Sequence, residues 1–181
     1  MDLRLLRLAA VTLLATGCCS QVAQKKAPKP THFRHHVFSA ECGYTRSCKV
    51  IYANRVQVDE PEGGKVWPLK EGVIKAAKSG QIAIRNFPEP ALVTWQSMDG
   101  ERHEDRVDMS SIFKRRVVVH AEPVDEVDDD GAVGDPTLLL VVEDRSVRVY
   151  MQSMVFLRRR EGQGEDGILR HDSVLVYSKS Y

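Results

Sequence analysis

Short apolar runs with a period of two, punctuated by glycine, proline, asparagine and aspartate, predict a body built almost wholly of β-strands. Residues 49–58, rich in β-branched side chains, predict the first firm strand, and Pro61, Gly63 and Gly64 turn the chain after it. Leu69, Val73, Ala76 and Ala77 share one face at helical spacing, which predicts a short helix over residues 69–78 with Gly80 as its stop. Residues 81–84 predict a strand broken off by Pro88 and Pro90. Leu92-Val93-Thr94-Trp95 and residues 102–107 predict an antiparallel hairpin turned by Asp99-Gly100, a two-residue pair in which both positions accept positive φ. Val117-Val118-Val119 opens a further predicted strand, closed by Pro123.

The last third reads as a meander. Leu138-Leu139-Leu140-Val141-Val142 is apolar at every position, which suits a strand buried on both faces. Val147, Val149 and Met151 alternate with Arg148, Tyr150 and Gln152, and Val174 and Val176 repeat the theme. Seven or eight short strands with one minor helix predict a mainly antiparallel β-sandwich or open barrel, a single domain over residues 32–181.

The pattern is different at the start. Arg4 and Arg7 precede a brief apolar run, and Ala15-Thr16-Gly17-Cys18 follows it. Charge, then an apolar core, then small residues is the layout of a bacterial export signal over residues 1–17. The apolar run is far too short to span a bilayer, which takes roughly 20 residues. Small residues leading into Cys18 resemble the lipobox of bacterial lipoproteins, in which the cysteine thiol receives a diacylglycerol and becomes the new N-terminus. Residues 18–31 are polar, basic and proline-containing, the composition of a flexible tether.

Charge narrows the partners. The chain has 26 basic and 25 acidic residues, and loss of Arg4, Arg7 and Asp2 with the signal leaves a neutral mature chain. A neutral surface argues against general nucleic-acid binding. Export places the remaining cysteines in an oxidising compartment, so Cys42 and Cys48 are expected to form a disulfide, with Cys19 left over beside the lipid. Zinc would need a second ligand pair at metal-site spacing.

Other motifs resolve into ordinary structure. His32, His35 and His36 lack acidic or cysteine partners nearby and read as a solvated face, and His103 and His120 stand alone in strand contexts. Residues 122–135 contain seven carboxylates and no basic residue, which predicts an exposed mobile loop between strands. As a calcium loop this stretch fails, because with Gly131 sixth and Glu126 first the twelfth position is Thr137 rather than glutamate. Gly162-Gln163-Gly164-Glu165-Asp166-Gly167 has dinucleotide-binding spacing but no room for the helix and second strand that the motif needs, so it reads as a hairpin loop. Ser111-Ile112-Phe113-Lys114 lacks the companion elements of serine–lysine acylases. Trp67 and Trp95 read as core anchors, and Lys114-Arg115-Arg116 and Arg158-Arg159-Arg160 as strand ends facing water. No cofactor or metal is expected, and no catalytic residue is assigned.

The lipobox at Cys18, the size, the β-rich body and the segment Phe87-Pro88-Glu89-Pro90-Ala91-Leu92-Val93-Thr94-Trp95 with Asp99-Gly100 and His103 resemble small bacterial lipoproteins encoded beside type VI secretion effectors, including immunity proteins against antibacterial lipases. In such lipoproteins the residue after the lipidated cysteine influences sorting. Here it is Cys19 rather than aspartate, which implies the outer membrane, facing the periplasm. The resemblance implies a non-enzymatic inhibitor that occludes an effector toxin. A structural lipoprotein of an envelope or secretion-system assembly is the alternative, and a small hydrolase the third class. Asp128, Asp129 and Asp130, at the centre of the acidic segment, are the candidate partner-binding residues, through their power to steer a basic protein.

Overall fold

The computed structural model describes residues 31–76, 80–158 and 168–181. The expected signal, the expected lipidation site Cys18, nearly all of the expected tether and the glycine motif at 162–167 lie outside the described residues. Nine strands form among the described residues: β1 (His35–Gly43), β2 (Ser47–Tyr52), β3 (Arg55–Glu60), β4 (Gln81–Arg85), β5 (Ala91–Gln96), β6 (Arg102–Val107), β7 (Val127–Glu143), β8 (Ser146–Leu157) and β9 (Ile168–Ser180). Two short helices, α1 (Glu71–Lys75) and α2 (Met109–Ile112), interrupt them. A five-stranded sheet in the order β4-β1-β7-β8-β9 packs on a four-stranded sheet in the order β3-β2-β5-β6. The result is a sandwich with open edges and not a closed barrel.

All neighbouring strands run antiparallel except β1 and β7, which are parallel from Val37↔Thr137 to Gly43↔Glu143. Parallel neighbours need a long crossover, and here that crossover contains the entire four-stranded sheet. The core follows from the alternation: Phe38, Leu140 and Val149 from one sheet meet Val50, Val93 and Trp95 from the other, all at 3% exposure or less. Leu139 and Val141 point the opposite way on β7 and are equally buried. The segment at 69–76 covers them. Gln152, paired across from Thr137 on that outer face, donates from Nε2 to the carbonyls of Ile74 (2.7 Å) and Ala76 (2.8 Å). The Leu69 N–H donates to the Glu143 carboxylate at 2.9 Å.

Several local expectations change. The first strand is β1, not residues 49–58, and that stretch is two strands turned at Ala53 and Asn54, whose φ angles of 49° and 58° make a two-residue hairpin. The 91–107 hairpin forms, but only Gly100 has positive φ (90°), and Gly100 N–H donates to Ser97 O. Its connection is therefore a turn over Met98 and Asp99 followed by a left-handed glycine, longer by one residue than expected. The predicted helix contracts to Glu71–Lys75 because Ala76 is already extended (ψ 135°), before Gly80 is reached. Gly80 has a different use: a Cβ there would stand 2.0 Å from the Phe38 carbonyl oxygen. Val117-Val118-Val119 yields only a single bridge, His32↔Val117.

The largest correction concerns residues 122–135. Asp128, Asp129 and Asp130 are not in a loop but in the first half of β7, between the pairs Val127↔Leu157 and Ala132↔Val155. Val127 packs with Val155 and Leu157 in a small second core, which gives this acidic stretch an apolar seam to fold on. Gly131 (φ 67°) and Gly134 (φ 71°) absorb the register shifts. β1 joins β7 only from Thr137 onward, so carboxylates occupy the portion of β7 beyond β1, where charge deters edge-to-edge pairing. This end of the sandwich is where the chain enters: Thr31 Oγ1 accepts from Ala132 N–H at 3.3 Å, and Thr31 O accepts from Val118 N–H at 2.8 Å.

Candidate functional site

At the other end of β1 the chain crosses between the sheets, and there it is braced. Cys42 is buried near the end of β1 and Cys48 is the first buried residue of β2, and the expected disulfide joins them with a Cα–Cα distance of 6.3 Å. Residues 43–47 between them collect loops from every side. Tyr44 N–H donates to Trp67 O (3.0 Å) and Thr45 N–H to Lys65 O (3.1 Å), while Gly63 and Gly64 N–H both donate to Arg46 O. Arg46 N–H donates to Gln96 O, and Asp144 N–H donates to Tyr44 O. Closing so short a loop constrains the unfolded chain by only about 2 kcal/mol. Reduction, or the double substitution Cys42→Ala/Cys48→Ala, is therefore expected to lower stability by about that amount while the protein remains folded. Alkylation with mass spectrometry on protein isolated without reductant reads the bond directly, and free thiols at both positions would contradict it.

A second set of contacts stiffens the same end. Trp95 Nε1–H donates to Asp144 O (2.7 Å), His103 stacks on the indole at 4.8 Å, and Tyr181 meets it edge-on at 4.9 Å. Arg145 binds Asp99 (2.7 Å) and Glu101 (2.6 Å), and its Nε–H donates to Tyr181 O. The Ser97 hydroxyl, then the Glu101 N–H and then Arg145 hold the Asp99 carboxyl far below the usual carboxylate range. The Tyr181 hydroxyl donates to Asp105, and burial first and that carboxylate second push its pKa up to about 12. Asp105 stays below its ordinary range: burial opposes this, but the donors Tyr181 and Lys179 outweigh it.

Ser97 Oγ lies 3.0 Å from His103 Nε2, a pairing that invites comparison with a serine nucleophile and its base. The hydroxyl, however, is wholly buried and donates to Asp99 at 2.5 Å, so the imidazole supplies a proton to the serine oxygen and does not accept one. This is a brace for the β5–β6 turn. Ser111 is similarly occupied, its hydroxyl donating to Asp108 O at 2.8 Å beside the Asp108 cap of α2.

Two open hollows lie on this braced end and the adjoining sheet face. A groove of about 620 Å³ runs over the outer face of β2, β3, β5 and β6, where Lys49, Asp59, Thr94, Gln96, Arg102 and Glu104 project. The loop at 61–62 separates it from a second hollow of about 390 Å³, lined by Asp59, Glu60, Glu62, Lys65 and Trp67. Trp67 was expected in the core but is 64% exposed, next to Val66 and Tyr44, which are also exposed. Trp95 takes the core position expected of it. The sequence did carry a sign of the difference: Trp67 sits between the turn formers Gly63-Gly64 and Pro68, with no periodic apolar partner.

The histidine cluster also divides. His32 Nδ1–H donates to Arg115 O at the surface, His35 is exposed, and His36 is completely buried, contacting Asn86 Oδ1 through Nδ1 (2.6 Å) and Tyr52 Oη through Nε2 (3.0 Å). Among the described residues no three His, Cys, Asp or Glu side chains converge on a metal-sized site, and no helix is long and apolar enough to cross a membrane. Lys114-Arg115-Arg116 is exposed as expected but follows α2, not a strand. Asp128 is half-buried and has interactions of its own. The tri-aspartate and the Trp67 hollow thus occupy opposite ends of β1, whose nine residues span roughly 25–30 Å. No protein-family model, no curated protein and no solved structure matches this chain significantly.

Proposed function

We propose that this protein is a membrane-tethered periplasmic binding lipoprotein that occludes a secreted antibacterial effector, acting as an immunity or inhibitor protein. The observation that carries the reading is the placement of the braced end. The chain enters the sandwich at Thr31, and the disulfide, the Trp67 loop and the groove lie at or toward the far end. With Cys18 anchored in the outer membrane, that end is presented away from the lipid. The outer face of the four-stranded sheet adds an open surface of mixed charge, suited to reading the charge pattern of one protein partner. The disulfide fits an exported chain.

Lipid attachment at Cys18 is expected to hold the protein in a detergent-extractable membrane fraction, since acyl chains contribute roughly 0.8 kcal/mol per buried CH₂. Cys18→Ser should leave the precursor uncut or release it to the soluble fraction, and identical migration and fractionation of the two forms would rule out lipidation there. The inhibitory role is tested by producing, in the periplasm of a sensitive host, each toxin-like protein found encoded beside this gene. Survival should depend on co-production of this protein. A protein that gives no protection and co-fractionates with secretion-machine components would instead be a structural lipoprotein of that assembly.

A further inference from the structure

We propose that the hollow beside Trp67 is the anchoring point for a cationic side chain, an arginine above all, presented by a protein partner. Three carboxylates line it, Asp59, Glu60 and Glu62, against the single cation Lys65. Lys65 is already shared between Glu60 (3.1 Å) and Glu41 (3.6 Å), and Asp59 is paired with Lys49 at 2.9 Å. Glu62 has no ion-pair partner among the described residues. The hollow therefore carries uncompensated negative charge beside an exposed indole face. A guanidinium is the group that satisfies both features, stacking on the ring while its planar fork pairs with a carboxylate.

The loop is also prepared for the task. Backbone hydrogen bonds from residues 44–46 to 63–67 fix it to the disulfide-linked crossing, so little ordering remains to be done on binding. Tryptophan is among the residue types enriched at interface hot spots. The inference rests on the binding reading above in taking the cation to come from a protein, and the experiment has two arms so that the two can fail separately.

In the first arm the full chain in detergent micelles, labelled with ¹⁵N at its two tryptophans, gives one indole N–H signal from each. Trp67→Phe assigns them. Titration with acetyl-Gly-Arg-Gly-amide at millimolar concentration should move the Trp67 signal saturably and leave that of Trp95 in place, with a response that shrinks as salt is raised. The citrulline peptide, equal in shape but uncharged, should move neither, and Glu62→Gln should weaken the arginine response. Equal shifts with citrulline, no shift with arginine, or indifference to Glu62→Gln would each overturn the proposal.

In the second arm Trp67→Ala should weaken binding of the neighbouring effector by about tenfold or more, while Asp128→Asn/Asp129→Asn/Asp130→Asn leaves it nearly unchanged. If the peptide binds at Trp67 and no effector does, the hollow stands and the immunity reading falls. If the effector binds and Trp67→Ala has no effect on it, the hollow is not the partner's anchor and the immunity reading survives.

Discussion

Leu139→Ala is expected to destabilise the protein by about 2–5 kcal/mol, as much as Leu140→Ala, although the two side chains leave β7 on opposite faces. Both are completely buried. Leu140 points into the core between the sheets, where truncation leaves a cavity that the surrounding strands cannot collapse. Leu139 points outward, toward the face crossed by residues 69–76 and held there by Gln152 and Glu143. An uncovered sheet face would make Leu139→Ala a surface substitution, worth within about 0.5 kcal/mol. Urea unfolding of the two variants separates these cases. A large loss for Leu140→Ala with almost none for Leu139→Ala would mean that the crossing segment does not cover the sheet.

That test bears on what could be read from the chain alone. The unbroken run at 138–142 announced a strand with two buried faces, and β7 is that strand, because it lies between β1 and β8 and beneath the segment at 69–76. The hairpins at 91–107 and 138–157 were equally legible, since alternation and turn residues are local signals. β1 was not. His35 and His36 at its start look polar, and Gly43 at its end looks like a turn, so its strand character comes from pairing with β7 and β4, distant in sequence. The same reason explains the acidic stretch. Counting carboxylates predicts a loop, but β8 offers Val127 an apolar seam with Val155 and Leu157, and tertiary pairing overrides local propensity.

Of the candidate site only the disulfide was legible in the sequence, and the acidic hollow beside Trp67 was not. Cysteine spacing, read with the expected export signal, was enough to pair Cys42 with Cys48. Nothing local to Asp128, Asp129 and Asp130 indicates that they lie where the chain enters the sandwich, because that follows from the contact of Thr31 with residues 131 and 132. Nor does composition distinguish the two tryptophans. Trp95 alternates with Val93 on a strand and is buried, while Trp67 lies in an exposed loop whose backbone is held by residues 44–46.

The buried imidazole of His36 is expected to make stability fall as the medium is acidified below about pH 6.5, and replacing it should remove that dependence. Asn86 Nδ2 donates to Phe33 O, so Asn86 Oδ1 faces His36 Nδ1 as an acceptor and places a proton there. Nε2 is then free to accept from the Tyr52 hydroxyl. A second proton on Nε2 would turn that hydroxyl into an acceptor and strand its hydrogen among Phe38 and Phe87, which pack against Tyr52 and His36 respectively. Burial is the largest influence and lowers the His36 pKa; the bond to Asn86 and the charge of Asp135 pull it partly back, and His35 lowers it slightly further. With the folded value below the unfolded one, the unfolded state binds more protons in the window beneath about pH 6.5, and stability declines there by up to about 1.4 kcal/mol per pH unit. The decline ends once the folded pKa is passed. Above the window the imidazole is neutral in both states and the term is constant. His36→Leu should lose about 1–3 kcal/mol at pH 7.5, because Asn86 Oδ1 and the Tyr52 hydroxyl are left without their partner, but its stability should fall less on going to pH 5. Denaturation of both proteins at the two pH values gives the comparison, and the remaining histidines cancel in the difference. Parallel losses in the two proteins would show that His36 does not titrate against folding.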